Sequence, residues 1–216
     1  MSLQTSSILP RQNLTFSAAS LTVLIAFGAS ALPVPLMSTW TREFGLSTAA
    51  IGMTVLLYVV GNACSLLFFA RLSEVIGRRG AVFISLLFGL SACAFFLAAD
   101  SPAFLMAGRL LQGLACGITT TAAMSWCVDS APPKRSWLAT AVSSSGPLAG
   151  FVIATIGAGV AIETQIAGTR RLFFSVLLLE LMVSVLVFLA SETVTTKSAK
   201  KGILKPSVMP PPGYGR

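Results

Sequence analysis

Between residues 16 and 191 the chain alternates between six long apolar runs and short gaps that hold nearly all of its charged residues. The runs cover residues 16–39, 48–70, 80–99, 103–128, 137–161 and 172–190. About 20 apolar residues at about 1.5 Å of helical rise each match a hydrocarbon core about 30 Å thick. Backbone polar groups in lipid must find partners within their own segment, and the runs are about twice as long as a barrel strand, so the pattern predicts transmembrane helices. The predicted fold class is an all-α membrane protein with six transmembrane helices in one bundle. Pro33, Pro35 and Pro147 lie inside or at the end of runs and are expected to kink their helices rather than end them.

Composition narrows the class further. With 55% hydrophobic and 10% charged residues in 216, and a mean hydropathy of +0.84, the chain lies outside the range of soluble domains. A net charge of +8 would suit a nucleic-acid partner, but the basic residues are strung through loops and a tail rather than gathered on one polar face, so none is expected. They report topology instead. Arg11, Arg71, Arg78, Arg79, Lys134, Arg135, Lys197, Lys200, Lys201, Lys205 and Arg216 fall on one side, against Arg42, Arg170 and Arg171 on the other. That bias predicts a multi-pass cell-membrane protein, plasma or bacterial inner, with both termini cytoplasmic. A rival reading of the first run is a cleavable signal peptide, since Arg11, an apolar stretch and Ala29-Ser30-Ala31 imitate one. Its uncharged stretch, residues 12–41, is longer than an ordinary signal core. The organisation is then a cytoplasmic segment at 1–15, the bundle at 16–192 and a basic, Pro-rich cytoplasmic tail at 193–216, expected to be disordered.

The candidate chemistry is sparse. The chain has no histidine, and its four cysteines lie inside runs without ligand spacing, so neither a metal nor a cofactor is expected and any proton coupling falls to carboxylates. No nucleophile–base set or phosphate loop is present, which argues against an enzyme. The sequon Asn13-Leu14-Thr15 would matter only if it faced a lumen. Two charges sit within runs, Arg109 and Glu180. Both lie about 13 Å inside by helical rise, so an ion pair between them is expected, the alternatives being a hydroxyl partner for Glu180 or its protonation. Arg109 shares a helical face with Gln112, Gly113 and Cys116; snorkelling to the headgroups is its alternative.

An internal repeat is faintly visible. Gly77-Arg78-Arg79-Gly80-Ala81-Val82-Phe83 leads into the third run, and Gly168-Thr169-Arg170-Arg171-Leu172-Phe173 into the sixth. Three runs repeated as three would build the bundle from two inverted three-helix repeats, the alternative being chance recurrence of an arginine pair.

Three motifs carry a family resemblance. Ala70-Arg71-Leu72-Ser73-Glu74-Val75-Ile76-Gly77-Arg78-Arg79 resembles the signature loop G-x-L-x-D-R-x-G-R-R of the major facilitator superfamily, with Ala70, Glu74 and Val75 departing from it. Arg109-Leu110-Leu111-Gln112-Gly113 is similar to the family's R-x-x-Q-G stretch in span four. Ser145-Gly146-Pro147-Leu148-Ala149-Gly150 resembles the G-P-x-x-G-G stretch of its drug/proton antiporters, with Phe151 in place of the last glycine. The resemblance implies a secondary, ion- or proton-coupled efflux transporter working by alternating access. Glu74, Gly77, Arg78 and Arg79 would form its conformational-switch loop, Arg109 and Gln112 its polar transport residues, and Gly146, Pro147 and Gly150 a helix-packing element; Glu180, the one carboxylate within a run, joins the transport residues on that ground and not by the resemblance. Family members pair two six-helix bundles, so a second bundle, from a homodimer or a separate half, is the implied protein partner alongside the bilayer and a small-molecule substrate of unknown identity. The other expectation is a truncated or non-transporting six-span protein acting as an interaction module.

Overall fold

The computed structural model describes residues 5–132, 136–164, 166 and 168–193, all of whose regular structure is helical. The helices are α1 (Thr5–Ala31), α2 (Pro33–Phe44), α3 (Thr48–Phe68), α4 (Leu72–Ile76), α5 (Arg78–Leu97), α6 (Pro102–Ser130), α7 (Ser136–Glu163) and α8 (Thr169–Leu189). Six are long and apolar enough to cross a bilayer, the first being α1 and α2 taken as one span. Each expected span is present, with ends shifted by a few residues. The first helix reaches back beyond the apolar run: no glycine or proline separates Arg11 from it, and α1 begins at Thr5, within the segment 1–15. The tail is described only as far as residue 193, so its expected disorder lies outside the described residues.

Local chemistry sets the breaks. Leu32 forms a turn and Pro33, which has no N–H, opens α2, so the first span bends without stopping. Pro147 stays within an unbroken α7. Gly45, at φ 61°, ends α2 in the left-handed region, and Ser47 starts α3 by accepting the Ala50 N–H at 3.2 Å.

The packing has the symmetry of an inverted repeat. Counting α1–α2, α3 and α5 as one set and α6, α7 and α8 as the other, the seam of α1 with α7 mirrors that of α6 with α3. Likewise α5 with α6 mirrors α8 with α1, while α1–α6 and α5–α8 are their own images. Both first-mentioned seams rest on glycine. A Cβ on Gly150 would run into the Leu24 carbonyl, and one on Gly113 into the carbonyl of Tyr58, so only glycine lets these backbones approach. Toward the far end of the bundle from the termini, Trp40, Phe96 and Phe173 stack with centroids 4.6–5.8 Å apart, tying α2 to α5 and α8.

Candidate functional site

Arg109 sits on α6, 5% exposed, pointing at the broken end of α1. Its Nη1 donates to the Ser30 carbonyl at 2.9 Å and to Gln112 Oε1 at 3.3 Å, while Gln112 Nε2 donates to the Ala29 carbonyl at 2.8 Å. The Tyr58 ring of α3 lies under the guanidinium, 5.3 Å from its centroid. Cys116, one turn on, reaches the Ala26 carbonyl at 3.5 Å. The proline break explains the acceptors. In an unbroken helix the Ala29 carbonyl would take the N–H of residue 33, but Pro33 has none and the carbonyl keeps only the Leu32 N–H at 3.3 Å, while the Ser30 carbonyl belongs to the same helix end, which carries partial negative charge. Arg109 and Gln112 fill that place. One guanidinium nitrogen, Nε, has no partner within the described residues. The burial excludes the snorkelling alternative.

Glu180 is elsewhere. The expected pair with Arg109 does not form: among the described residues the single ion pair is Arg78–Asp129. Glu180, 2% exposed on α8, faces α5, where Cys93 Sγ lies 3.8 Å from its Oε2 and the bare Cα of Gly89 makes room for the carboxylate. A similar depth counted along two helices says nothing about azimuth. Arg109 looks toward α1 and α3, Glu180 toward α5.

The loop of Glu74, Gly77, Arg78 and Arg79 is a second assembly, and two of its members were not legible beforehand. Gly77 adopts φ 95°, ψ 159°, a conformation close to glycine-only. That turn lays the N–H groups of Arg78 and Arg79 against Glu192, at 2.9 Å to Oε1 and 3.1 Å to Oε2, so a carboxylate from beyond α8 caps α5. Arg78 Nε meets Asp129 Oδ2, near the end of α6, at 3.0 Å, and its Nη1 reaches Ser73 Oγ at 2.7 Å. Arg79 donates to the Ala190 carbonyl at 3.3 Å and lies over Phe188. Three helix ends are thereby tied together. Glu74, the motif's own carboxylate, is exposed and makes no ion pair among the described residues. The available signal for Asp129 and Glu192 was their place, each just at or past the end of a span on the side of the arginine pair. In α7, Gly146 and Gly150 face Val23 and Leu24 of α1, inside this bundle, and Pro147 lies between them.

The comparisons can now be set beside this geometry. The sequence profile described as Major Facilitator Superfamily matches residues 19–211. The chain belongs to that superfamily. It is 32% identical over 131 residues to the uncharacterized MFS-type transporter YybF of Bacillus subtilis, covering 60% of this chain and 32% of that one. To a gentisate transporter of Corynebacterium glutamicum it is 31% identical over 147 residues, or 65% and 32% of the two chains. The aligned part thus spans about a third of those relatives. Among solved structures, the human organic anion transporter MFSD10 superposes with a TM-score of 0.64 at 17% identity, over 84% of this chain and 48% of that one, a likeness of fold. This superfamily chain is therefore a membrane-embedded, multi-pass helical bundle.

Proposed function

We propose that this bundle is one half of a secondary transporter that moves small organic anions by alternating access, in the direction of efflux. The observation that carries the reading is Arg109, a buried guanidinium held by Gln112 and the carbonyl end of α1, which among the described residues has no carboxylate partner and keeps Nε unpaired. A charge in a span is costly, and one held by dipoles and a ring face, with no opposite charge beside it among the described residues, retains its attraction for an anion. The names of two matched proteins, a gentisate transporter and an organic anion transporter, agree with that substrate class. Efflux rests on the Gly146-Pro147 stretch and its likeness to antiporters. The second bundle comes from a longer chain, a separate half or another copy, and the loop around Arg78 is the part that changes partners as the bundles rock.

Proteoliposome flux with a panel of aromatic carboxylates tests this. Arg109→Leu should lower flux about tenfold or more, the equivalent of one charge-assisted hydrogen bond, and Arg109→Lys should fall between, because a point charge cannot reproduce the fork. Flux in Arg109→Leu equal to that of the parent, at unchanged thermal stability, removes Arg109 from the pathway. No flux from any assembly containing this bundle would favour the interaction-module reading instead. Orientation is tested by Arg71→Cys and Gly168→Cys: we expect an impermeant maleimide outside intact cells to label only the latter.

A further inference from the structure

A groove of about 440 Å³ runs down the flank of the bundle between α7 and α8, with α1 as its floor. Leu21 and Leu32 mark its floor, Ile153 and Gly157 one wall, Leu172 and Leu179 the other. Ser175 is the single hydroxyl side chain in the lining, which is otherwise apolar. From Leu21 to Leu32 the floor is about 16 Å long at about 1.5 Å per residue. That is about half of a hydrocarbon core about 30 Å thick, one leaflet deep. The groove begins at Leu172, in the first turn of α8, and closes near Leu179, halfway along that helix.

Its mouth is electropositive. Arg170 and Arg171 are exposed at the N-terminal end of α8, where the peptide dipole is itself positive and no side chain caps the helix. Arg171 sits one turn above Ser175, whose hydroxyl donates to the Arg171 carbonyl at 2.9 Å, so the arginine lies over the groove's own side of the helix. The Arg171 guanidinium has one weak acceptor, the Ile166 carbonyl at 3.4 Å, and neither arginine pairs with a carboxylate among the described residues, Glu163 included. At the repeat-related pair, the Arg78 guanidinium meets Asp129, and Glu192 accepts the backbone N–H groups of Arg78 and Arg79. The outer face of α8 beside the groove carries Phe174, Leu178, Met182 and Val185, all large and exposed. No glycine lies on α8, so this face offers no close-approach seam of the kind that Gly113 and Gly150 make.

We propose that this groove binds one anionic phospholipid of the leaflet next to the α7–α8 turn, with the phosphate on Arg170 and Arg171 and an acyl chain lying along α1. Arginine forks match phosphate oxygens, and the apolar walls match the chain. The site is independent of the transport reading, since its test reads bound lipid and not flux.

The full chain, purified in non-ionic detergent, is exchanged with phosphatidylglycerol or phosphatidylcholine and examined by native mass spectrometry. Phosphatidylglycerol should be retained about tenfold over phosphatidylcholine, and Arg170→Gln with Arg171→Gln should abolish that preference, while Arg71→Gln leaves it unchanged. A Cβ at Gly157 meets nothing within 4 Å, so the backbone there tolerates a side chain, and Gly157→Phe, placed in the groove wall, should release the lipid. If that variant unfolds, the arginine pair decides alone. Equal retention of the two lipids, or unchanged phosphatidylglycerol in the folded variants, overturns the proposal. So does a change of oligomeric state in Gly157→Phe, which would make the occupant a helix of another chain.

Discussion

Arg78–Arg79 and Arg170–Arg171 occupy equivalent places in the inverted repeat, each pair heading the third helix of its set, yet their surroundings differ at every point. The first pair follows a glycine at φ 95° and is matched by Asp129, Glu192, Ser73 and the Ala190 carbonyl. The second follows a glycine at φ −76° with open space around it, and its arginines face outward. Similar residues in equivalent positions thus serve as an internal clasp in one copy and as an unmatched charge in the other. What separates them is the supply of carboxylates from neighbouring helix ends, not the arginines themselves.

The comparison breaks most sharply at the glycines. Gly77→Ala is expected to cost about 1–3 kcal/mol, because it forces a side chain into a glycine-only region and against the Glu192 carboxylate. Gly168→Ala, whose backbone is ordinary extended chain, should stay within about 0.5 kcal/mol. Thermal unfolding in detergent reads both; equal losses would show that the Gly77 turn is not the organiser of the clasp.

A smaller effect is expected at the cap. Glu192→Gln keeps the shape but removes the charge facing two N–H groups at the start of α5, and should lose about 1 kcal/mol. An unchanged melting temperature would assign that contact to geometry alone. Smaller still is the Arg78–Asp129 ion pair. Both groups are partly exposed, so a double-mutant cycle with alanine at each should give a coupling of about 0.5 kcal/mol that shrinks in high salt. Strict additivity would leave the clasp to Glu192 and Gly77. Least of all, Arg170→Gln and Arg171→Gln in lipid-free detergent should leave the melting temperature where it is, and a drop matching that of Arg78→Gln would mean a hidden partner at the α8 end.

How far the chain could be read in advance differs between spans and site. Six spans, their order and the tolerance of Pro147 followed from run length and from the rule that backbone in lipid must bond within its segment. Gln112 as a partner of Arg109 followed from helical spacing, and the structure places them 3.3 Å apart. The rest of that site did not. Pro33 was read as a kink, but the consequence of the kink, carbonyls at Ala29 and Ser30 turned toward another helix, depends on which helix α6 faces. Residues 79 and 83 positions apart in sequence meet there only because α1 and α6 cross.

By itself, then, the sequence determined membrane residence and the number of spans, because both depend on local composition measured against the thickness of a bilayer, and its short motifs pointed to the superfamily. Tertiary structure alone decided partners. Rotation of a helix about its axis changes no hydropathy and no depth, yet it separates Glu180 from Arg109, hands Arg109 to the broken end of α1, and brings Asp129 and Glu192 to one arginine pair while the other meets no carboxylate among the described residues.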